Sequence, residues 1–140
     1  DFYFIPQLQC SIVIVTCLSL VETLLRNVCI EIDQNADLGV KGSYIQRSHV
    51  FLKRRTDIRI PKSFLQAFEC FGHLRNSFLH QLDHQIPSRS LESINHLTGP
   101  FADLSDGVKP IHVDLCLRIL NEFGEDFQAQ YLKWWSGQPV

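Results

Sequence analysis

The sequence lacks a large excess of charge of either sign. It carries 13 Lys and Arg against 15 Asp and Glu, a formal net charge of −2. This balance argues against a protein that coats a polyanion by bulk electrostatics, so any such contact must come from a local patch. One local excess of basic residues exists, and it is diluted by Asp57. It is formed by Lys53, Arg54, Arg55, Arg59 and Lys62. The alternative interpretation of this patch is a solvated helix end.

The sequence also lacks the paired cysteines of a disulfide framework or a zinc ribbon. The number of cysteines is five, which is odd, and no C-x-x-C pair is present. Several lie within apolar runs and are predicted to be small core residues. This usage fits a reducing compartment, so we predict a cytoplasmic protein. The cysteines are Cys10, Cys17, Cys29, Cys70 and Cys116.

Long hydrophobic runs are scarce. The most apolar stretch, Ser11 to Val21, is too short to span a bilayer, which takes ~20 apolar residues, and Glu22 and Arg26 follow it. A basic segment and a small-residue cleavage site are both missing, which disfavours a signal peptide. We therefore predict a buried helix and no membrane contact, although the β-branched residues 12–15 leave a strand open.

What the sequence has is helical periodicity in a chain of single-domain size. With 140 residues and 45% apolar composition, residues 1–140 are predicted to form one domain. Ser43 and Gln46 fit a capping box, and Pro61 suits the first turn of a helix. The pattern predicts an all-α fold, an antiparallel bundle of about five helices. These cover about residues 6–34, 43–54, 61–84, 88–97 and 112–135, with a loop over 98–110.

The last predicted helix carries an apolar stripe. Gly124 interrupts the stripe and predicts a kink or a close helix crossing. Trp134 and Trp135 are predicted to cap the core or meet a partner chain, with at least one of them in the core. The stripe consists of Val113, Leu117, Leu120, Phe127 and Leu132.

The third predicted helix separates polar from apolar side chains. At about 100° per residue, its polar residues form a stripe about 100° wide, opposite a core face. Arg75 falls on the flank of the core face, where a guanidinium must be paired or reach solvent along its stem. The polar stripe consists of Glu69, His73, Asn76, His80, Asp83 and His84. The core face consists of Ala67, Phe71, Leu74, Phe78 and Leu82.

Part of the polar stripe has the spacing of metal ligands. His80 and His84 are four residues apart with Asp83 beside them, and two histidines on one helical face can bind a metal ion. The sequence contains no H-E-x-x-H motif, however, and no third ligand stands out. We favour a metal-free site without a cofactor, with a solvated face as the alternative for His84.

The segment Leu74-Arg75-Asn76-Ser77-Phe78-Leu79-His80 resembles the R-x4-H signature of HEPN domains (higher eukaryotes and prokaryotes nucleotide-binding). That family often has Asn directly after the Arg, and it carries the motif late in a long amphipathic helix of an all-α bundle. The resemblance implies an HEPN-like fold and a metal-independent endoribonuclease that acts as a homodimer. The motif helices of two copies would face each other and build one shared cleft.

The resemblance implies a role for each motif residue. Arg75 and His80 would be catalytic, with Asn76 as a supporting polar residue. Glu22 would orient Arg75 or His80, and its alternative is an exposed carboxylate or an i, i+4 pair with Arg26. The basic residues Lys53, Arg54 and Arg55 would contact RNA.

The chemistry of these types suits RNA cleavage. A histidine can take the proton of the 2′-OH or protonate the leaving 5′ oxygen. An arginine can stabilise the charge on the five-coordinate phosphorus. The products would be a 2′,3′-cyclic phosphate and a 5′-OH.

The resemblance suggests a toxin of a toxin–antitoxin pair, with an antitoxin protein as a further partner, or a phage-defence nuclease. Some HEPN toxins have a modified Tyr two residues after the His, where this chain has Leu82, so the resemblance does not extend to that modification. A non-catalytic HEPN-like module that binds nucleotide or protein is the alternative. A helical interaction domain with a chance motif is the third reading.

Overall fold

The computed structural model of the chain describes residues 4–36, 38, 42–81 and 109–138. This part of the chain contains four helices and no strand, which confirms the predicted all-α class for it. The predicted helix over 88–97 and the predicted end of the third helix near His84 lie outside the described residues. The helices are α1 (Phe4–Ile32), α2 (Tyr44–Arg55), α3 (Lys62–Gln81) and α4 (Pro110–Ser136).

Helix α1 is the centre of the described fold. It packs against each of the other three helices, while α2 and α4 do not contact one another within the described residues. Its buried residues lie within one arc about 120° wide, at about 100° per residue, and this face meets all three neighbours. The β-branched run 12–15 lies within this helix, so the strand left open by the sequence is not formed. The buried residues are Ile14, Cys17, Leu18, Val21, Leu25, Val28 and Cys29.

The apolar part of α1 is longer than the run Ser11 to Val21. By length and composition alone, Leu8–Ile32 could cross a membrane. Its apolar window has a mean hydropathy of 2.0, and 28% of that window is buried inside the structure. The core helix of a soluble protein and a signal sequence share this property, so length and apolar composition alone do not separate these classes.

Helix α2 begins at the capping box that the sequence predicts. The Gln46 backbone N–H donates to the Ser43 hydroxyl (3.2 Å), and the Ser43 N–H donates to Oε1 of Gln46 (3.3 Å). Gly42 precedes this cap with a φ of +86°, where a Cβ would meet Oε1 of Gln46 at 2.8 Å. The positive φ therefore favours glycine at position 42.

Helix α3 begins one residue after Pro61, whose carbonyl oxygen accepts from the N–H groups of Phe64 and Leu65 (3.0 and 3.2 Å). Pro61 thus stands immediately before the helix rather than within its first turn. Of the predicted core face, Phe71 and Leu74 are buried and Ala67 packs against the core. The side chains of Phe78 and Leu82 lie outside the described part.

Helix α4 starts two residues earlier than predicted, with Pro110 in its first turn and the Nδ1 of His112 accepting from the Lys109 N–H (2.8 Å). The predicted stripe is wrong at Leu117 and Leu132, which are 47% and 55% exposed. Phe127 is buried as predicted and Leu120 packs against the core, but the other buried residues of α4 lie outside the stripe. These are His112, Cys116 and Phe123.

The structure also bears on the predictions for Gly124 and for the two tryptophans of α4. A Cβ on Gly124 would meet nothing within 4 Å, so no helix of the described part crosses closely there. Trp134 packs against the core, whereas Trp135 is 53% exposed. The prediction that at least one tryptophan belongs to the core is confirmed.

Aromatic side chains join α3 to α4. The Phe123 ring meets Phe68 edge to face, with centroids 5.0 Å apart, and meets Phe64 in the same way at 5.7 Å. Phe127 lies 5.5 Å from Phe123 on the same helix. Pairs of this geometry contribute ~0.5–1.5 kcal/mol beyond the area they bury. The cluster fixes α3, and with it the motif segment, against the rest of the bundle.

Candidate functional site

A cleft of about 500 Å³ lies between α1, the start of α2 and α3. Apolar side chains of all three helices line its interior: Leu18, Ile45, Leu65 and Phe68. Polar side chains are arranged around it: Glu22, Ser43, Gln46, Lys62, Gln66, Glu69, His73, Arg75 and Asn76. Three of the residues selected from the sequence, Glu22, Arg75 and Asn76, therefore share one cavity.

An ion pair fixes Arg75 at the cleft. One terminal nitrogen of its guanidinium donates to Oε1 of Glu22 at 2.9 Å, and the two side chains are 32% and 25% exposed. A charge-assisted hydrogen bond of this length between half-buried groups holds a guanidinium far more firmly than a solvated pair does. A guanidinium has five N–H donors, so this bond leaves other donors for a ligand.

Two members of the polar stripe lie beside Arg75. Asn76 is exposed and lines the same cleft. Nε2 of His73 is 3.8 Å from a carboxylate oxygen of Glu69, an ion pair only when His73 is protonated. His80 is in the described backbone of α3, but its side chain lies outside the described part, as do Asp83 and His84 altogether. The described half of the stripe thus opens into the cleft.

The three predicted RNA-contact residues have different surroundings. Nη2 of Arg55 donates to Asp33 at 3.0 Å, and its guanidinium lies 5.9 Å from the Phe51 ring. Arg55 therefore ties α2 to the end of α1. Lys53 and Arg54 are exposed, and both are accessible to a ligand.

The part that α2 contributes to the cleft was not predicted from the sequence. Ser43 and Gln46 were identified only as capping residues, whereas both also line the cavity, as Lys62 does from the start of α3. The capping signal shows where α2 begins but not which helix lies opposite its first turn. The spacing of Glu69 and His73 was a usable signal, because residues four apart share a helix face.

The described residues hold no group of three or more His, Cys, Asp or Glu side chains that could bind a metal ion. The structure does not describe the side chains of the candidate ligands His80, Asp83 and His84, so a metal site formed by them is not tested. The described part of the cleft therefore offers hydrogen-bond donors and ion pairs for binding a ligand.

The buried thiols have the environment of core residues. Burial raises the pKa of Cys29 to about 11 and that of Cys70 to about 12, and it also raises the pKa of Cys116. A thiol with a raised pKa is a poor nucleophile at neutral pH, because the thiolate is the reactive form. Cys29, Cys70 and Cys116 are therefore packing groups, as the apolar runs around them predict.

Comparison of the chain with protein-family models, with curated proteins and with solved structures finds no match. The residues of the cleft are therefore the basis for assigning a function.

Proposed function

We propose that this protein is a metal-independent endoribonuclease of the HEPN type that acts as a homodimer. The observation that carries the proposal is the Arg75 guanidinium, fixed 2.9 Å from Glu22 and opening into a cleft that Asn76 also lines. Arg75 and Asn76 are the first two residues of the motif that ends with His80. A pre-positioned guanidinium beside an amide donor suits a phosphate group.

The proposed reaction uses the RNA strand as its own nucleophile. The 2′ oxygen attacks the adjacent phosphorus while a base removes its proton, and the bond from phosphorus to the 5′ oxygen breaks as an acid protonates that oxygen. We assign both proton transfers to His80, which is neutral when it takes the proton of the 2′-OH and charged when it protonates the 5′ oxygen. Arg75 stabilises the charge of the five-coordinate phosphorus.

Cleavage of single-stranded RNA in EDTA tests the proposal. We expect products with a 2′,3′-cyclic phosphate and a 5′-OH, and no cleavage of an RNA carrying a single 2′-deoxy substitution at the cleaved position. Arg75→Ala and His80→Ala should each reduce the rate by at least a hundredfold, as loss of a transition-state donor or acid–base group does (~10²–10⁴-fold).

Arg118→Ala is the matched control, because Arg118 is an exposed arginine of α4 that does not line the cleft. We expect it to cleave at the wild-type rate. A fully active His80→Ala variant, or a rate that Arg118→Ala lowers as much as Arg75→Ala does, would contradict the mechanism.

One observation favours a second candidate, a non-catalytic HEPN-like domain that binds nucleotide or protein. Glu22 already compensates the charge of Arg75, as in an ion pair that serves only to join α1 to α3. That candidate predicts no cleavage with any RNA, together with a loss of thermal stability in Arg75→Ala. The catalytic proposal predicts that His80→Ala loses cleavage but keeps the wild-type fold.

The proposal places the protein in the cytoplasm, as an effector of a toxin–antitoxin or phage-defence system. Induced expression in bacteria should then arrest growth, and His80→Ala should relieve the arrest. Equal arrest by the wild type and His80→Ala would point to aggregation. Fractionation of the same cells should recover the protein with the cytosol, with α1 as a core helix; recovery with the membranes would assign α1 to a bilayer.

A further inference from the structure

The basic residues of α2 divide between two flanks of the helix. Gln46, His49 and Lys53 are three and four positions apart and so share one flank, and Gln46 lines the cleft. At a rise of about 1.5 Å per residue, Lys53 lies about 10 Å beyond Gln46 along this flank. Arg47 and Arg54, seven positions apart, are on the other flank and line a separate cavity of about 290 Å³ that includes Asp33.

The flank with Lys53 gathers further positive charge. The pKa of His49 is lowered, first by burial and then by the charges of Lys53 and Arg59, so both cations lie close to this histidine. Arg59 is exposed, and one of its terminal nitrogens donates to the carbonyl oxygens of Thr56 and Ile58, both at 2.9 Å. These bonds hold the guanidinium on the turn between α2 and α3.

Lys62 connects this charge to the cleft. It is exposed at the first position of α3 and is one of the residues lining the cavity. Asp57 is exposed in the same turn and offsets one of the three positive charges. Lys53 near the end of α2, Arg59 in the turn and Lys62 at the start of α3 thus follow one another along the chain toward the cleft, which Lys62 lines.

We infer that Lys53, Arg59 and Lys62 form a phosphate track, along which the backbone of a single-stranded RNA is led into the cleft. The inference rests on the proposed function and adds to it where the substrate strand lies. It places Lys53 alone of the predicted group Lys53, Arg54 and Arg55 on the track, because Arg55 is paired with Asp33 and Arg54, about 100° from Lys53 around α2, lines the separate cavity.

Binding of an uncleavable strand separates the track from catalysis. The probe is a fluorescein-labelled 12-nucleotide 2′-O-methyl RNA, which lacks the attacking hydroxyl, and anisotropy is followed as a function of salt. The track variant is Lys53→Gln with Lys62→Gln. Arg59 is left intact, because its guanidinium also holds backbone carbonyls and its loss would disturb the turn.

The matched control removes the same amount of charge elsewhere. It combines Arg118→Gln with Lys133→Gln, both exposed and both absent from the lining of the cleft. Each phosphate contact on a single strand contributes about 0.7 to the slope of log K against log salt, so the track variant should lose about 1.4 of that slope. Its affinity should fall by roughly tenfold at ~0.1 M salt, while the control stays within about twofold.

The outcomes distinguish the track from the proposed function. Unchanged binding by the track variant, or an equal loss in both variants, overturns the track even if the wild type cleaves RNA. A selective loss in the track variant supports the track even if no RNA is cleaved, and then the domain binds RNA without cutting it. Thermal unfolding followed by circular dichroism confirms that both variants keep the wild-type fold.

Discussion

At the scale of single residues, Glu22 acts on Arg75 in two opposite ways. It fixes the guanidinium through a 2.9 Å hydrogen bond, which favours a defined geometry, and it compensates part of the positive charge that a phosphate would feel. The geometric effect needs only a hydrogen-bond acceptor, whereas the compensation needs the negative charge. Substitutions at Glu22 can therefore separate the two.

We predict that Glu22→Gln keeps kcat within about threefold of the wild type, because the amide oxygen still accepts from Arg75. Glu22→Ala should lower kcat by roughly tenfold to a hundredfold, since a loosened catalytic group costs about that much, with little change in KM. Single-turnover cleavage of a labelled RNA measures both variants. Glu125→Gln, an exposed carboxylate on α4, is the control, and equal loss in Gln and Ala variants would assign the effect to the charge.

His49 gives the stability of the fold a pH dependence. Its Nε2 is buried and has no hydrogen-bond partner among the residues that the structure describes, and burial, Lys53 and Arg59 lower its pKa below the ordinary value of 6.5. The unfolded chain therefore binds a proton at a higher pH than the folded chain does. The stabilising contribution of neutral His49 is fully present above pH 6.5 and is lost as the pH falls toward the lowered pKa.

We predict that the free energy of unfolding falls between pH 7.5 and 5.5 and that His49→Gln makes this fall smaller. Urea unfolding at a series of pH values, followed by circular dichroism, measures it. His73→Gln is the comparison, because His73 is a partly exposed histidine whose Nε2 lies 3.8 Å from a carboxylate oxygen of Glu69. If His49→Gln left the pH profile unchanged, the acid sensitivity would belong to other groups.

At the scale of helices, the sequence predicted where helices occur better than which faces they bury. The capping box of Ser43 and Gln46 is a local pattern, and it locates the start of α2 correctly. The buried face of α4 is set by its neighbours, and it includes His112 and Cys116, which a search for large aliphatic residues passes over. Leu117 and Leu132 were chosen for their size, but they face away from the described core.

In the candidate site, too, local features could be predicted from the sequence but contacts between helices could not. The motif and its helix follow from the local sequence, and so does the polar stripe that contains Asn76. The contact between Glu22 and Arg75 spans 53 positions, and no periodicity identifies which carboxylate of α1 an arginine of α3 will meet. The resemblance to HEPN domains supplied Glu22 as a candidate, and the packing of α1 against α3 brings the two side chains together.

Phe123 and Leu132 form a matched test of the observed face of α4. Phe123 is 1% exposed and contacts three aromatic rings, whereas Leu132 is 55% exposed. We predict that Phe123→Ala lowers the free energy of unfolding by about 3–5 kcal/mol and that Leu132→Ala changes it by less than about 0.5 kcal/mol. Urea unfolding measures both, and a cost at Leu132 comparable to that at Phe123 would show that Leu132 is covered in solution.

At the scale of the whole molecule, the proposed chemistry requires a second copy of the chain. Arg75 and His80 are five positions apart, which places them about 140° apart around one helix. One chain therefore cannot easily present both side chains to the same phosphate, whereas two α3 helices facing each other can. The expected species in solution is a dimer with twice the 16.2 kDa mass of the chain, which light scattering measures.

Mixed dimers decide whether the two residues act from different chains. Differently tagged Arg75→Ala and His80→Ala chains are co-expressed, and heterodimers are isolated through both tags. If one cleft takes Arg75 from one chain and His80 from the other, this heterodimer keeps one working pair, and we predict cleavage at least tenfold above either homodimer. The control pairs a wild-type chain with the Arg75→Ala/His80→Ala double variant, whose intact residues belong to the same chain. Activity restricted to the control would place the site within one chain, because only there do an intact arginine and an intact histidine share a helix.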